Sequence, residues 1–235
     1  MGLEVLRRRV GEVHALLVAT LAGLTDEQVA QPSRLPGWTR GHVLAHIAGV
    51  GNAAARQLEV AVADGQPVPY YDGGMAGRNA AIEAGAPASA QEHVARVTAA
   101  ADRMAAVAAD VTPGILERVT GARGRSVQGV LELWWREVSV HLVDLDLGLE
   151  ASSWDPAFRE HLAGYLAARV PRGMTLELVA DDVPERRVLG DGPDVVVLRG
   201  SATDLIVWLA GRSAVGVRAE RAGRGVALPE LEPWP

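Results

Sequence analysis

Apolar residues recur at steps of three and four along the first half of the chain. Leu3, Leu6, Val10, Val13, Leu17, Leu21 and Leu24 form such a stripe and predict an amphipathic helix over residues 3–24. Thr25 and Gln28 have capping-box spacing and open a short helical piece. Leu35-Pro36-Gly37-Trp38-Thr39 reads as a turn, with Thr39 placed to cap a second long helix. That helix runs to about Ala63 and carries Val43, Ile47, Val50 and Ala54 on one side. Residues 64–78 read as a long loop, a length that in a compact domain is often functional. Ser89 and Glu92 make another capping box before a helix to about Ala109, and Ser126 starts a fourth long helix ending near Gly148. Four amphipathic helices in about 150 residues predict a four-helix bundle.

The pattern then changes. Glu150-Ala151-Ser152-Ser153 reads as a linker, and Asp155-Pro156 as an N-cap followed by proline at the first helical position. Short alternating or apolar runs follow at Thr175–Val179, Arg186–Leu189 and Val195–Arg199, separated by turn residues, and they predict strands. Ser201 and Asp204 cap a helix ending at Gly211, and Val215–Glu220 is expected to be a last strand. The expected organisation is a helical bundle over residues 1–150 and a small α+β domain over 151–235. No internal repeat or low-complexity tract is present.

Composition narrows the function classes. At 235 residues, 49% apolar and 22% charged, the chain can bury a sizeable core. A net charge of -6 offers no global attraction to nucleic acid or an anionic membrane, and Arg7-Arg8-Arg9 reads as a solvated helix face. Gly121-Ala122-Arg123-Gly124-Arg125-Ser126 lacks the lysine and spacing of a phosphate-binding P-loop and reads as a loop. No run approaches the roughly 18 apolar residues of a membrane span, and the N-terminus has no signal-peptide pattern, so a cytoplasmic protein is expected. The absence of cysteine excludes disulfides, thiolate metal clusters and a cysteine nucleophile. Any thiol chemistry needs a thiol from outside.

The candidate chemistry lies in Glu137 and His141, four residues apart on the fourth helix and therefore nearly on one face. At 100° per residue His141 falls within the apolar arc of Val127, Val130, Leu131, Val138, Leu142 and Leu145. Glu137 lies at its edge, while Glu132 and Arg136 point away. His46 sits in the apolar run of the second helix. Two imidazoles and one carboxylate are the ligand set of a catalytic metal that keeps one position open. The same residues also suit a Glu–His hydrogen bond across helices, or a satisfied core histidine. His42, one turn before His46, falls further from the apolar stripe and ranks below it. Asp144 is placed to accept a proton from a ligating imidazole, or to pair with a surface arginine.

Three stretches resemble a known family. Leu35-Pro36-Gly37-Trp38-Thr39 through His42-Val43-Leu44-Ala45-His46-Ile47-Ala48-Gly49 looks like the first motif of mycothiol-dependent maleylpyruvate isomerases, within the DinB-like superfamily. Arg136-Glu137-Val138-Ser139-Val140-His141-Leu142-Val143-Asp144-Leu145 is similar to its second, and Val197–Arg212 resembles its C-terminal domain. The resemblance implies a DinB-like four-helix bundle with zinc (Zn2+) held by His46, Glu137 and His141, and mycothiol as the thiol cofactor. It further implies that Arg212 reaches the active site between the two domains. The implied reaction is cis–trans isomerisation of maleylpyruvate, an intermediate of gentisate breakdown, to fumarylpyruvate. Such a substrate carries two carboxylates, which guanidinium forks bind well; Arg212 is the first choice and Arg78 the second. Tyr70, Arg78 and Asn79 are expected to contact cofactor or substrate from the loop. The partners expected are therefore small molecules, with neither nucleic acid nor membrane. A mycothiol S-transferase that conjugates an electrophile, and a non-catalytic small-molecule binding protein, are the rival readings.

Overall fold

The computed structural model describes residues 1–213 and 215–235. It falls into two units, Met1–Glu150 and Ala151–Pro235.

In the first unit, Leu3–Leu21 (α1) buries Leu3, Leu6, Val10, Val13, Leu17 and Leu21. Gly23 follows in the left-handed region (φ 76°), so Leu24 lies past the helix end. Asp26–Ala30 (α2) opens with a complete capping box: Gln28 N–H donates to Thr25 Oγ1, and Thr25 N–H donates to the Gln28 side chain. Arg40–Val62 (α3) is capped by Thr39, Ala90–Asp110 (α5) by Ser89, and Val127–Asp144 (α6) by Ser126. The helices α1, α3, α5 and α6 form the bundle, α3 and α1 each packing against both α5 and α6.

Close approach of α3 to α6 places the site. Gly51 of α3 faces the fully buried Trp134 of α6, and a Cβ there would lie 2.9 Å from the indole. Without that side chain the helices come near enough for His46, five residues earlier, to meet Glu137 and His141, one and two turns beyond Trp134.

Two expectations are corrected here. The long loop is shorter, because Gly74–Gly85 forms a helix (α4) against α3, so Arg78 and Asn79 stand on a helix and not on a loop. Four glycines at positions 73, 74, 77 and 85 mask it in the sequence. Gly77 is needed where it stands, since a Cβ would strike the Asp72 carbonyl. Arg136, expected to point away, is buried. With 12 of its 18 residues buried, α6 is enclosed on more than one face, and a single apolar arc underestimates that enclosure.

In the second unit, Asp155 Oδ1 accepts from Phe158 N–H and caps Pro156–Leu166 (α7). The strands are Met174–Ala180 (β1), Arg186–Gly190 (β2), Asp194–Gly200 (β3), Arg218–Arg221 (β4) and Arg224–Val226 (β5). They form one sheet in the order β2-β1-β3-β4-β5, with β1 and β3 parallel and the other neighbours antiparallel. The parallel pair needs a crossover. Leu176, Leu178, Val196 and Leu198 face the core of this unit, onto which Ala202–Leu209 (α8) packs. The last expected strand begins later, at Arg218, and β5 was not expected. Its three exposed residues give no alternation to read. The chain is thus a helical bundle followed by a small α+β unit. No described helix is long and apolar enough to cross a membrane.

Candidate metal centre

His46 projects from α3, and Glu137 and His141 from consecutive turns of α6. His46 Nε2 lies 3.1 Å from Glu137 Oε2 and 3.0 Å from His141 Nε2. His141 Nε2 lies 3.4 Å from the same carboxylate oxygen. These edges match the roughly 3.3 Å that separates nitrogen and oxygen ligands around tetrahedral zinc. Among the described residues this is the one His, Asp and Glu group whose ligand atoms gather closely enough for a metal ion. The side chains of His46 and His141 keep 6% and 12% of their surface, and Glu137 keeps 22%, so the group opens toward solvent on the carboxylate side.

Two outer contacts orient the imidazoles. His141 Nδ1 donates to Asp144 Oδ2 at 2.8 Å, which turns Nε2 toward the triad. Asp144 is itself buried. Arg78 Nη2 donates to His46 Nδ1 at 3.1 Å. Trp38 packs edge-on to His46, with ring centroids 5.8 Å apart, and the Arg78 guanidinium lies 6.0 Å over the indole.

The charges suit a cation. Burial pushes His46 down to about 4, against the pull of Glu137. Burial would raise Glu137, but hydrogen bonds from His141 and His46 outweigh it and hold the carboxyl well below its ordinary range. Burial would likewise lower His141, yet Asp144 and Glu137 raise it. A carboxylate kept ionised beside an imidazole kept neutral is a donor set for a divalent metal. The residues fit zinc.

Other expected residues take different places. His42 is a capping residue: its Nδ1 accepts from Thr39 N–H at 3.2 Å, and its Nε2 pairs with Glu83. Its ring stacks on Trp38. Tyr70 is tied back to α3, its hydroxyl donating to the Val50 carbonyl at 3.5 Å, and burial raises its phenol well above the ordinary value. Burial raises the phenol of its neighbour Tyr71 too, with Glu137 adding to the shift. Asn79 is exposed and accepts from Arg78 Nη1 at 2.9 Å. Arg212 belongs to the second unit, where it donates to the Ala210 carbonyl and lies 5.2 Å over Trp234.

Trp38 and Tyr71 went unrecognised in the sequence. The signal for Trp38 was an aromatic residue in the turn just before α3; Tyr71 was one residue from a named candidate.

The loop between α3 and α4 is clipped down by Gln57, which is buried on α3. Its Nε2 donates to the Val68 and Pro69 carbonyls, and its Oε1 accepts from Gly121 N–H. Arg56 adds bonds to the Pro69 and Tyr70 carbonyls.

A family model described as the mycothiol maleylpyruvate isomerase N-terminal domain matches residues 10–146. Two solved structures share the fold: a mycothiol-dependent maleylpyruvate isomerase and a histidine-to-alanine mutant of a mycothiol-dependent maleylpyruvate isomerase. Each has a TM-score of 0.85 and 22% identity, over 100% of this chain and 98% of the other. No curated protein matches the chain.

Proposed function

As the chain belongs to the mycothiol maleylpyruvate isomerase N-terminal domain family, we propose that it is a thiol-dependent cis–trans isomerase. Its substrate in this reading is maleylpyruvate and its product fumarylpyruvate, with mycothiol as the thiol and zinc as the metal. The observation that carries the reading is the triangle of His46, Glu137 and His141 ligand atoms, with edges of 3.0 to 3.4 Å and an open carboxylate side.

His46, Glu137 and His141 would hold the zinc through Nε2, a carboxylate oxygen and Nε2. Bound zinc supplies a Lewis acid that keeps a thiol ionised at neutral pH. An ionised thiol would supply reversible addition to an activated double bond.

The chain's own part is threefold. Asp144 holds the His141 ring so that its Nε2 faces inward. Arg78, next to His46, binds a substrate carboxylate through its planar fork. Arg212 stabilises the negative charge that develops on the oxo-acid, a task that suits a fixed guanidinium. Tyr70 and Asn79 act indirectly, Tyr70 by holding the loop onto α3 and Asn79 by steadying Arg78. A cytoplasmic site of action follows from the same reading, because the thiol cofactor would be an intracellular one.

The test is elemental analysis followed by turnover of maleylpyruvate with and without mycothiol. Stoichiometric zinc and a thiol-dependent trans product support the isomerase. A stable thiol adduct released into solution makes the protein an S-transferase. Metal-free protein without turnover leaves only a binding protein.

A further inference from the structure

Arg78 presents a conflict that its partners make specific. A guanidinium carries only donors, so the 3.1 Å contact from Nη2 requires His46 Nδ1 to be the acceptor. The single ring proton of His46 then sits on Nε2, aimed at Glu137 Oε2 and His141 Nε2. A metal ion held by Nε2 takes that nitrogen's lone pair, and the ring proton is carried on Nδ1 instead. Nδ1–H then faces Arg78 as donor against donor. Arg78 and a metal cannot both claim a neutral His46.

The arginine has little else to hold it. Its other contacts are the exposed Asn79 amide oxygen and the Trp38 ring. Among the described residues it makes no ion pair with a carboxylate. A planar cation at the mouth of the triad, deprived of its imidazole acceptor, is left to bind an anion.

Building on the function proposed above, we propose that Arg78 is a carboxylate seat released by metal loading. With no metal it is engaged by His46; with metal it is free to take one carboxylate of a small dicarboxylic acid as a bidentate pair. Metal binding and carboxylate binding therefore reinforce each other, and the coupling is reciprocal.

Zinc affinity of the metal-free protein, measured by chelator competition with and without fumarate as the dicarboxylate probe, tests this. Fumarate should tighten zinc binding at least about fivefold in the unaltered chain. Arg78→Met and Arg78→Gln should each bind zinc about tenfold more tightly without fumarate, and fumarate should add nothing. Persistent coupling in Arg78→Met would place the carboxylate on the metal and overturn the proposal, as would absent coupling in the unaltered chain. Nitrogen-15 spectra of the metal-free, unaltered protein should show His46 with an unprotonated Nδ1; a protonated Nδ1 overturns the premise whether or not the variants fold. A protein that takes no zinc at all overturns the metal reading itself.

Discussion

Asp144 accepts the Nδ1 proton of His141 from three residues along the same helix, at 2.8 Å and out of solvent. The carboxylate makes the ring a better electron donor and fixes its rotation. Asp144→Asn keeps the shape and removes the charge. Zinc affinity is expected to fall by about tenfold, the low end for outer-shell partners. Chelator competition measures it, and an unchanged affinity would separate Asp144 from the metal site.

His46 is the one expected ligand contributed by α3. Replacing it by alanine leaves two neighbours on α6, too few for a stable three-ligand site. Zinc per chain should drop well below one and thiol-dependent turnover should vanish. Full zinc content in His46→Ala would remove this residue from the ligand set.

Arg212→Ala should separate catalysis from metal binding. Zinc content is expected to stay constant while kcat falls roughly a hundredfold, in line with the loss of one charge-stabilising donor. Equal kcat in the two proteins, measured at matched zinc content, would take the arginine out of the reaction.

The metal-free protein should weaken as the pH falls from about 6.5 to about 4. Burial lowers His46 to about 4 from an ordinary 6.5, and burial also lowers His93 on α5. In that window the unfolded chain binds more protons than the native one, so stability drops with falling pH. His141 is raised, so its contribution is complete below 6.5 and is lost only as the pH climbs through its native value. Glu137 is depressed and keeps its contribution down to the ordinary carboxylate value of 4.5, losing it below. Urea midpoints of chelator-treated protein give the profile. A flat line from 6.5 to 4.5 would contradict the buried neutral imidazoles.

Gly51→Val probes the approach of α3 to α6. The new side chain would press on Trp134, already 2.9 Å from a bare Cβ. Overpacking of this kind costs about 1–3 kcal/mol. Thermal and urea unfolding should show it, accompanied by weaker zinc binding because the two halves of the ligand set are pushed apart.

Local chemistry was legible in the chain and remote chemistry was not. Thr25 with Gln28, and Ser89 with Glu92, could be read because a cap bonds its own helix within three residues. The neighbourhood of Glu137 and His141 follows from helix geometry in the same way. The cap formed by His42 was missed, since an imidazole stands where glutamate or glutamine is usual. Helix α4 was hidden by its glycines, which sequence reasoning assigns to loops. Arg78 beside His46 joins positions 32 apart on different helices, and no periodicity encodes such a pairing. The burial of Arg136 shows the limit of projecting a helix onto one face when neighbours surround it.

The Gln57 amide grips two separate stretches of backbone, at Val68–Pro69 and at Gly121, and a Cβ on Gly121 would collide with the Val68 carbonyl. The two margins are thus sewn with one thread. Drift in either segment is transmitted to the other, while the Tyr70 hydroxyl and the left-handed Gly73 hold the path of residues 70–73. Loss of Gln57 would loosen both hems at once and leave the Val68 carbonyl and the Gly121 N–H seeking new partners.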